Sequence, residues 1–377
     1  MKNIIKISAA GSGKTYDICH DALNVVAGGD KKVLIVTYTN RGEKAVETEI
    51  RKQNKGVLNP QIVIKTWYRF LLSETIKPYQ RYITGGGSFN VLKGIDYSQT
   101  YGVVNYQRKG TRARYLTKAE DVLSNQASEL ACFLDEKSNG KIIGRLIEIY
   151  SNIYFDEVQD LAGYDIDLLK LLLDSDISIT CCGDNKQATF STHNAKKNKN
   201  QTGKNIWQFF EGLSNVEIEK NLTSRRFNQV ICCFANMLFP IGDPITTIMD
   251  EETGHDGVFL ISQSDVEAYY QYYHPQVLRF DAKTRVGNYH AVNFGACKGE
   301  TFERVLIYPN GPLADFVIRN KALGSPEKYY VGITRPKYSI AIVLKAMPEV
   351  LNGYQEVALN CGDSHIRSLE FIVKRAN

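Results

Sequence analysis

Long apolar runs and C-x-x-C cysteine pairs are both missing from this 377-residue chain, and each absence argues against a class of protein. No apolar run approaches the roughly 20 residues that cross a bilayer, so no membrane partner is expected. The eight cysteines without C-x-x-C spacing argue against zinc or redox sites and favour buried, reduced thiols. Because candidate site residues begin at Ser8, we expect no signal peptide and a cytoplasmic location.

Acidic residues are scarce in one segment, from Lys77 to Lys118, where Asp96 is the only one. Basic residues and tyrosines are interleaved there: Lys77, Arg81, Lys93, Arg108, Lys109, Arg112, Arg114 and Lys118 with Tyr79, Tyr82, Tyr97, Tyr101, Tyr106 and Tyr115. Positive charge combined with stacking faces suits a single nucleic acid strand. A solvated basic insertion whose tyrosines form a small core fits the same composition, so both interpretations stay open.

What the chain does have, close to its start, is a phosphate-binding loop: Ser8-Ala9-Ala10-Gly11-Ser12-Gly13-Lys14-Thr15. An apolar strand precedes it and a helical pattern follows. Glycines let several N–H groups between Ala10 and Thr15 point at one phosphate, and a helix N-terminus adds positive charge. Lys14 is expected to reach the β- and γ-phosphates and the Thr15 hydroxyl to hold Mg²⁺. The pattern G-x-x-x-x-G-K-[ST] is met except that Ser8 replaces its first glycine.

Strands and helices alternate over most of the chain, which predicts an α/β fold built on parallel sheets, and the length favours at least two domains. Strands are predicted at residues 32–37, 61–65, 151–155, 177–182, 258–261, 276–280, 305–308 and 339–344. Helices are predicted at residues 42–52, 118–137, 165–173 and 229–238. Gly85 to Gly87 and scattered tyrosines interrupt the pattern, which indicates an inserted subdomain.

Polar groups follow two of the predicted strands directly. Ligands of open parallel sheets bind at the carboxyl ends of the strands. After residues 151–155, Asp156 is predicted to hold Mg²⁺ and Glu157 to act as the general base on a water molecule. After residues 177–182 comes Gly183-Asp184-Asn185-Lys186-Gln187, where Gln187 is placed to sense the γ-phosphate, although Gly-Asp-Asn is also a good turn.

Several short motifs, taken in order, resemble those of one enzyme family. Residues 8–15 resemble A-x-x-G-x-G-K-T, Thr37-Tyr38-Thr39-Asn40 resembles T-F-T-N, and Thr66-Trp67-Tyr68 resembles T-F-H. Residues 156–160 match D-E-x-Q-D and residues 183–187 match G-D-x-x-Q. Arg226 precedes Ile231 and Ala235-Asn236, residues 298–302 resemble K-G-x-[ET]-F, and residues 330–335 match Y-V-[GA]-x-T-R. In this order the chain resembles a compact superfamily 1 DNA helicase of the UvrD/Rep/PcrA type.

The resemblance implies two RecA-like lobes, residues 1–204 and 205–377, with a small insertion in the first lobe at about residues 75–148. It further implies ATP and Mg²⁺ in the cleft between the lobes, with Arg226 and Arg335 neutralising charge on the γ-phosphate. Thr37, Asn40, Thr66, Trp67 and Tyr68 would then contact the DNA strand, with Arg112 and Arg114 as further contacts from the basic segment. Hydrolysis would drive movement along a single strand, in the family from 3′ to 5′.

Two departures from the family pattern bear on function. The family's N-Y-R reads Ser224-Arg225-Arg226, so the tyrosine that stacks on adenine is missing at that place. Only about 57 residues separate Asn236 from Asn293, where full-size members insert a large subdomain. A compact core also fits a second function: a DNA-stimulated ATPase that serves as sensor or regulatory subunit of a repair or phage-defence complex, with a nuclease or other accessory protein as partner. RNA as the working strand stays open as well.

Overall fold

The computed structural model describes residues 3–83, 91–98, 107–189 and 197–373, and internal contacts divide the chain into two units. The first unit comprises Met1–Ile7, Lys14–Asn185 and Phe190–Lys220, and the second comprises Ser8–Gly13, Lys186–Thr189 and Asn221–Asn377. Gly85 to Gly87, Tyr101 and Tyr106 of the predicted insertion lie outside the described residues.

The first unit is built from short strands alternating with helices. Its strands are β1 (Asn3–Ser8), β2 (Lys32–Thr37), β3 (Ile62–Thr66), β4 (Ile95–Asp96), β5 (Val122–Leu123), β6 (Tyr150–Phe155), β7 (Ser178–Gly183) and β8 (Val216–Asn221). Its α-helices are α1 (Lys14–Ala27), α2 (Asn40–Gln53), α3 (Trp67–Phe70), α4 (Arg112–Tyr115), α5 (Ala127–Lys137), α6 (Lys141–Ile149), α7 (Tyr164–Leu173) and α8 (Ile206–Glu211). A π-helical turn, Leu71–Ile76, continues α3.

The main sheet of this unit has the strand order β3-β2-β6-β7-β1-β8. All pairings from β3 through β1 are parallel; Leu34, for example, lies opposite Ile153, and Ile4 opposite Thr180. Parallel strands place their carboxyl ends at one edge, so the segments that follow β2, β3, β6 and β7 all start there. Those segments carry four of the eight motifs quoted above, at residues 37–40, 66–68, 156–160 and 183–187.

Both faces of this sheet are covered, as expected for parallel strands. In β2, Val33 and Ile35 belong to one apolar cluster, with α1 and α2, while Leu34 and Val36 belong to another, with α5 and α7. The second cluster also takes in Tyr115 from the predicted insertion. The insertion therefore packs against the core of its own unit, and its buried tyrosine contributes to that core.

The second unit repeats the α/β plan. Its strands are β9 (Thr223–Ser224), β10 (Thr246–Thr247), β11 (Gly257–Ser262), β12 (Gln276–Arg279), β13 (Ala291–Asn293), β14 (Phe302–Tyr308), β15 (Pro336–Leu344), β16 (Tyr354–Cys361) and β17 (Ser364–Phe371). Its α-helices are α9 (Gln229–Met237), α10 (Val266–Tyr273), α11 (Gly311–Arg319) and α12 (Pro326–Ile333).

The main sheet of the second unit has the order β13-β12-β14-β15-β11-β17-β16. Its pairings from β13 through β11 are parallel, whereas β17 runs antiparallel to β11 and forms a hairpin with β16. Side chains of β15 alternate between two apolar clusters, Ile340 and Ile342 on one face and Ala341 and Val343 on the other. This sheet, too, is buried on both faces.

The predicted α/β fold with two parallel-sheet lobes is confirmed, and the predicted strand at residues 32–37 coincides with β2. The helix predicted from residue 118 is wrong in its first nine residues, because α5 begins only at Ala127. Val122 instead lies in β5 beside Ile95 of β4, and its N–H donates to the Gly94 carbonyl, 2.9 Å away. None of the described helices is both long and apolar enough to cross a membrane.

Candidate nucleotide site and nucleic-acid groove

The loop at residues 8–13 has the backbone that a phosphate cradle needs. Gly11 and Gly13 adopt φ of 75° and 97°, a left-handed conformation that favours glycine. The Ser12 N–H donates to the Ala9 carbonyl at 3.2 Å, and α1 begins at Lys14, directly after the loop. The Ser12 hydroxyl is buried and has no hydrogen-bond partner among the described residues. A buried hydroxyl of this kind, beside a helix N-terminus, fits a phosphate oxygen as its missing partner.

Asp156 and Glu157 lie at the carboxyl end of β6, where the sequence predicts the metal residue and the general base. Glu157 has φ of 55°, and its N–H donates to Asp156 Oδ1 at 2.9 Å. Left-handed backbone is uncommon for a non-glycine residue and is often found at functional sites. The turn therefore holds the two carboxylates in a fixed relation to each other.

Gln159 fixes the Glu157 side chain, a role that was not predicted from the sequence. Its amide nitrogen donates to Glu157 Oε2, and its amide oxygen accepts the Asp184 N–H at 3.2 Å. Gln159 is fully buried; its hydrogen bond with the Asp184 N–H lies away from solvent, and its hydrogen bond to Glu157 is partly buried. The signal in the sequence was its place in D-E-V-Q-D, where the polar residue two positions after Glu157 matched the family motif.

The charges of Asp156 and Lys14 both affect the pKa of one buried thiol, that of Cys182. Burial raises the pKa of the Cys182 thiol above its ordinary value; the negative charge of Asp156 raises it further, while Lys14 lowers it. Burial, with Glu49 and Asp156, raises the pKa of Cys19 to about 12. Asp156 and Lys14 thus lie within electrostatic reach of the end of β7. Both thiols stay protonated at neutral pH, so they serve as packing groups and are not nucleophiles.

Arg335 is buried, and each nitrogen of its guanidinium is engaged within the second unit. Its Nε donates to the Val331 carbonyl at 2.8 Å and its Nη1 to the Glu300 carbonyl at 3.2 Å. Its Nη2 reaches Thr334 Oγ1 at 3.2 Å and Gln187 Oε1 at 3.3 Å. The structure therefore brings together two residues, Arg335 and Gln187, that the sequence predicted for one site.

Arg226 lies beside Gly11 in the same unit. A Cβ on Gly11 would come within 2.6 Å of Arg226 Cβ, and the Arg225 N–H donates to the Gly11 carbonyl at 2.9 Å. Arg226 Nη1 donates to the Thr334 carbonyl at 3.1 Å, so Arg226 and Arg335 share one neighbour. Glycine is favoured at position 11, because a side chain there would collide with Arg226 Cβ and with the Ser224 hydroxyl, which would lie 2.7 Å away.

The residues present fit a magnesium nucleotide. The Thr15 hydroxyl and the Asp156 carboxylate are oxygen ligands of the kind that Mg²⁺ takes, usually with phosphate oxygens and water completing the shell. No group of three or more histidine, cysteine, aspartate or glutamate side chains suited to a metal occurs in the described ranges. A magnesium ion held largely by phosphates and water does not need such a group.

A groove of about 480 Å³ opens in the first unit near the carboxyl ends of β2 and β3. It is lined by Tyr38, Thr39, Asn40, Thr66, Tyr68, Tyr97, Ser124 and Asn125. Three of the residues predicted to contact a strand, Asn40, Thr66 and Tyr68, therefore lie in one groove. Thr37 does not line it, because its hydroxyl is buried and donates to the Thr39 carbonyl at 3.1 Å.

Trp67 and Arg114, which were also predicted to contact a strand, are buried and bonded within the protein. Trp67 Nε1 donates to Asp165 Oδ1 at 3.2 Å. The Arg114 guanidinium forms a bidentate pair with Glu129, with an Nη2–Oε2 distance of 2.8 Å. Arg112 pairs with Glu120. These contacts give Trp67 and Arg114 packing roles, and their contact with nucleic acid stays a prediction that would require both side chains to leave their present partners.

Known proteins resemble this chain in structure, and no match was found by sequence. No family model matches it, and no curated protein matches its sequence. It is similar to the solved structure of arterivirus nonstructural protein 10, a helicase, in complex with DNA, at 15% identity and a TM-score of 0.48 over 91% of this chain and 61% of that one. The PRRSV helicase is similar at 16% identity, with a TM-score of 0.44, over 97% of this chain and 59% of that one. The chain spans about 60% of the length of these helicases.

Proposed function

We propose that this chain is an ATP-dependent enzyme that moves along or unwinds nucleic acid, with single-stranded DNA as the favoured strand and 3′ to 5′ as the direction. One observation carries the proposal. A phosphate loop with two left-handed glycines leads into α1, and the Asp156–Glu157 turn follows β6, within a series of motifs that keeps the UvrD/Rep/PcrA order from residue 8 to residue 335.

The proposal gives each site residue a role. Lys14 and the loop N–H groups bind the phosphates, and Thr15 with Asp156 holds Mg²⁺, which supplies charge neutralisation when bound. Glu157, oriented by Gln159, accepts a proton from the attacking water. Arg226 and Arg335 stabilise the charge that develops on the γ-phosphate, with Gln187 beside Arg335.

The first test is steady-state ATP hydrolysis in Mg²⁺ buffer, with and without an oligo-dT strand. We expect Glu157→Gln to lower kcat by about 100-fold or more while nucleotide binding is kept, because the general base is lost and the phosphate cradle is not. Glu148→Gln, at an exposed position of α6, is the matched control and should hydrolyse normally. Wild-type turnover by Glu157→Gln would show that the assignment of the base is wrong.

A second candidate is a strand-stimulated ATPase that acts as a sensor or regulatory subunit beside a nuclease or other accessory protein. The observation that favours it is the short connection between α9 and β11, residues 238–256, which holds only the two-residue strand β10. Strand displacement on tailed DNA and RNA duplexes separates the candidates. Robust unwinding by the isolated chain supports the helicase, whereas stimulated hydrolysis without displacement supports the sensor.

A further inference from the structure

The groove of the first unit contains one aromatic ring that no family motif supplies. Tyr97 comes from the basic insertion, immediately after β4, whereas Asn40, Thr66 and Tyr68 come from segments at the ends of β2 and β3. It is 65% exposed, against 52% for Tyr272 on α10. A tyrosine this exposed at the rim of a cavity leaves apolar surface uncovered, which favours a ligand with a flat face.

Two of the three tyrosine rings that line the groove, Tyr68 and Tyr97, are arranged so that one face stays open. The centroids of Tyr68 and Tyr97 lie 5.2 Å apart with an interplanar angle of 89°, a T-shaped pair. In such a pair one ring presents its edge to the face of the other, so the pair is stabilised without closing both faces of the exposed ring. The groove volume of about 480 Å³ lies within the usual range for a small-molecule site and exceeds the space one nucleobase needs.

The backbone around Tyr97 is held in place. Ile95 and Asp96 of β4 pair with Val122 and Leu123 of β5, and the chain then continues to Ser124 and Asn125, which line the same groove. Asp96 accepts from both the N–H and the hydroxyl of Ser98, at 2.8 and 2.6 Å. Tyr97 therefore sits between two anchored residues, and ordering its ring on a ligand costs little conformational entropy.

One cation, Arg69, lies within electrostatic reach of Tyr97, although it is not among the residues that line the groove. Arg69 is largely exposed and pairs with Glu43 at 2.7 Å. Burial raises the pKa of the Tyr97 hydroxyl, and the Arg69 charge opposes that rise, which places the guanidinium within reach of the tyrosine. A cation beside an aromatic face is the combination used for single-stranded nucleic acid, where bases stack and phosphates meet the charge.

We propose that Tyr97, braced by Tyr68, is a stacking platform for one unpaired nucleobase, and that the groove takes a single nucleotide of the bound strand. This inference rests on the proposed function, because it names a contact by which the protein binds the nucleic acid strand. It also gives the basic insertion a specific part in binding through an aromatic residue. Stacking tolerates any base, so the site contributes affinity and little sequence preference.

The test is equilibrium binding of 15-mer oligo-dT and oligo-rU by the full chain and its variants. We expect Tyr97→Ala to weaken binding roughly 5- to 150-fold, the range for loss of one base–aromatic stack, with the slope of affinity against salt unchanged because no phosphate contact is lost. Tyr97→Phe keeps the ring and should bind like the wild type. Tyr272→Ala, which removes an exposed T-shaped partner in the second unit, is the control and should also bind normally.

A scan of abasic sites along the oligo-dT gives a second measurement. The wild type should lose affinity at one position, and Tyr97→Ala should not respond there, because the stack is already gone. Unchanged melting of the variants shows that folding is intact. Normal binding by Tyr97→Ala, or a loss equally large in Tyr97→Phe, overturns the stacking role alone. Failure of the wild type to bind either strand overturns the proposed function together with it.

Discussion

Gln159 illustrates how a residue without reactive chemistry controls one that has it. The buried amide joins the Glu157 carboxylate to the backbone N–H of Asp184, and so ties the turn after β6 to the end of β7. An amide can do this because it donates and accepts at once, whereas a carboxylate at the same place would repel Glu157. The conformation of Glu157 is thus set by two hydrogen bonds as well as by its left-handed backbone.

Replacement of Gln159 by leucine should therefore lower kcat of ATP hydrolysis by about 10- to 100-fold and leave the KM for nucleotide nearly unchanged. Loss of a group that orients a catalytic residue has an effect of this order. The informative control is a double-variant cycle: in a Glu157→Gln background, Gln159→Leu should have no further effect on kcat, because the two act as a unit. Additive losses would show that Gln159 acts on hydrolysis by another route.

For single residues, the sequence indicated which side chains belong to a site better than it indicated which of them are buried and which line the groove. Asn40, Thr66 and Tyr68 were expected to act together and do line one groove. Trp67 was expected beside them but is buried against Asp165, since the chain enters α3 there and consecutive side chains point in different directions. Spacing along the sequence cannot show which of two neighbours faces the core until the partner from a distant segment is known.

The basic insertion shows the same limit at the scale of elements. Its composition predicted either a strand-binding surface or a small core, and the described residues show some of each. Tyr115 and Arg114 are buried, whereas Tyr97 and Lys109 are exposed. The short pairing of β4 with β5 depends on residues 27 positions apart, and for that reason a local helical pattern over residues 118–137 gave the wrong start for α5.

A double replacement separates the packing role of Arg114 from its predicted contact with a nucleic acid strand. Arg114→Ala should cost about 3–5 kcal/mol in the free energy of unfolding, because it leaves the buried Glu129 carboxylate without its bidentate partner. Arg114→Met combined with Glu129→Leu removes both charges and should recover most of that loss, as measured by urea denaturation.

The double variant then reports on nucleic acid. If Arg114 serves only packing, the double variant should bind oligo-dT with the wild-type salt slope. A slope lower by about one would indicate a lost phosphate contact and would restore Arg114 as a strand-binding residue. Lys109→Ala is the comparison variant for the salt slope of oligo-dT binding. Lys109 lies 3.8 Å from the same glutamate, Glu129, but is largely exposed.

For the whole molecule, the division into two units means that stability is not one number. Two-state analysis fails when units unfold separately, so each needs its own probe. Both tryptophans of the chain, Trp67 and Trp207, belong to the first unit, and their fluorescence reports on it. Circular dichroism in the far ultraviolet reports on both units. A group that affects the stability of only the second unit should therefore change the circular dichroism and leave the tryptophan fluorescence unchanged.

His255 is such a group, because its protonation makes the stability of the second unit depend on pH. Its ring is stacked between Phe259 and Tyr273, with centroids 4.4 and 3.9 Å away, and its Nε2 is 2.8 Å from the Tyr269 hydroxyl. Burial, with the nearby charge of Arg304, lowers the pKa of His255 to about 4. The folded unit thus holds the imidazole neutral, whereas the unfolded chain protonates it near pH 6.5.

The sign of the effect follows from that difference. Above about pH 6.5 both states are neutral and the contribution is fully present; as the pH falls from 6.5 towards 4, only the unfolded state gains a proton, so stability falls. The full loss is about 3 kcal/mol, from a pKa difference of about 2.5. The urea midpoint by circular dichroism should fall between pH 7 and pH 5 in the wild type, and His255→Phe should flatten that dependence while the exposed His290→Phe keeps it. Tryptophan fluorescence should change alike in all three proteins, and an equal pH dependence of the dichroism in His255→Phe would contradict the assignment.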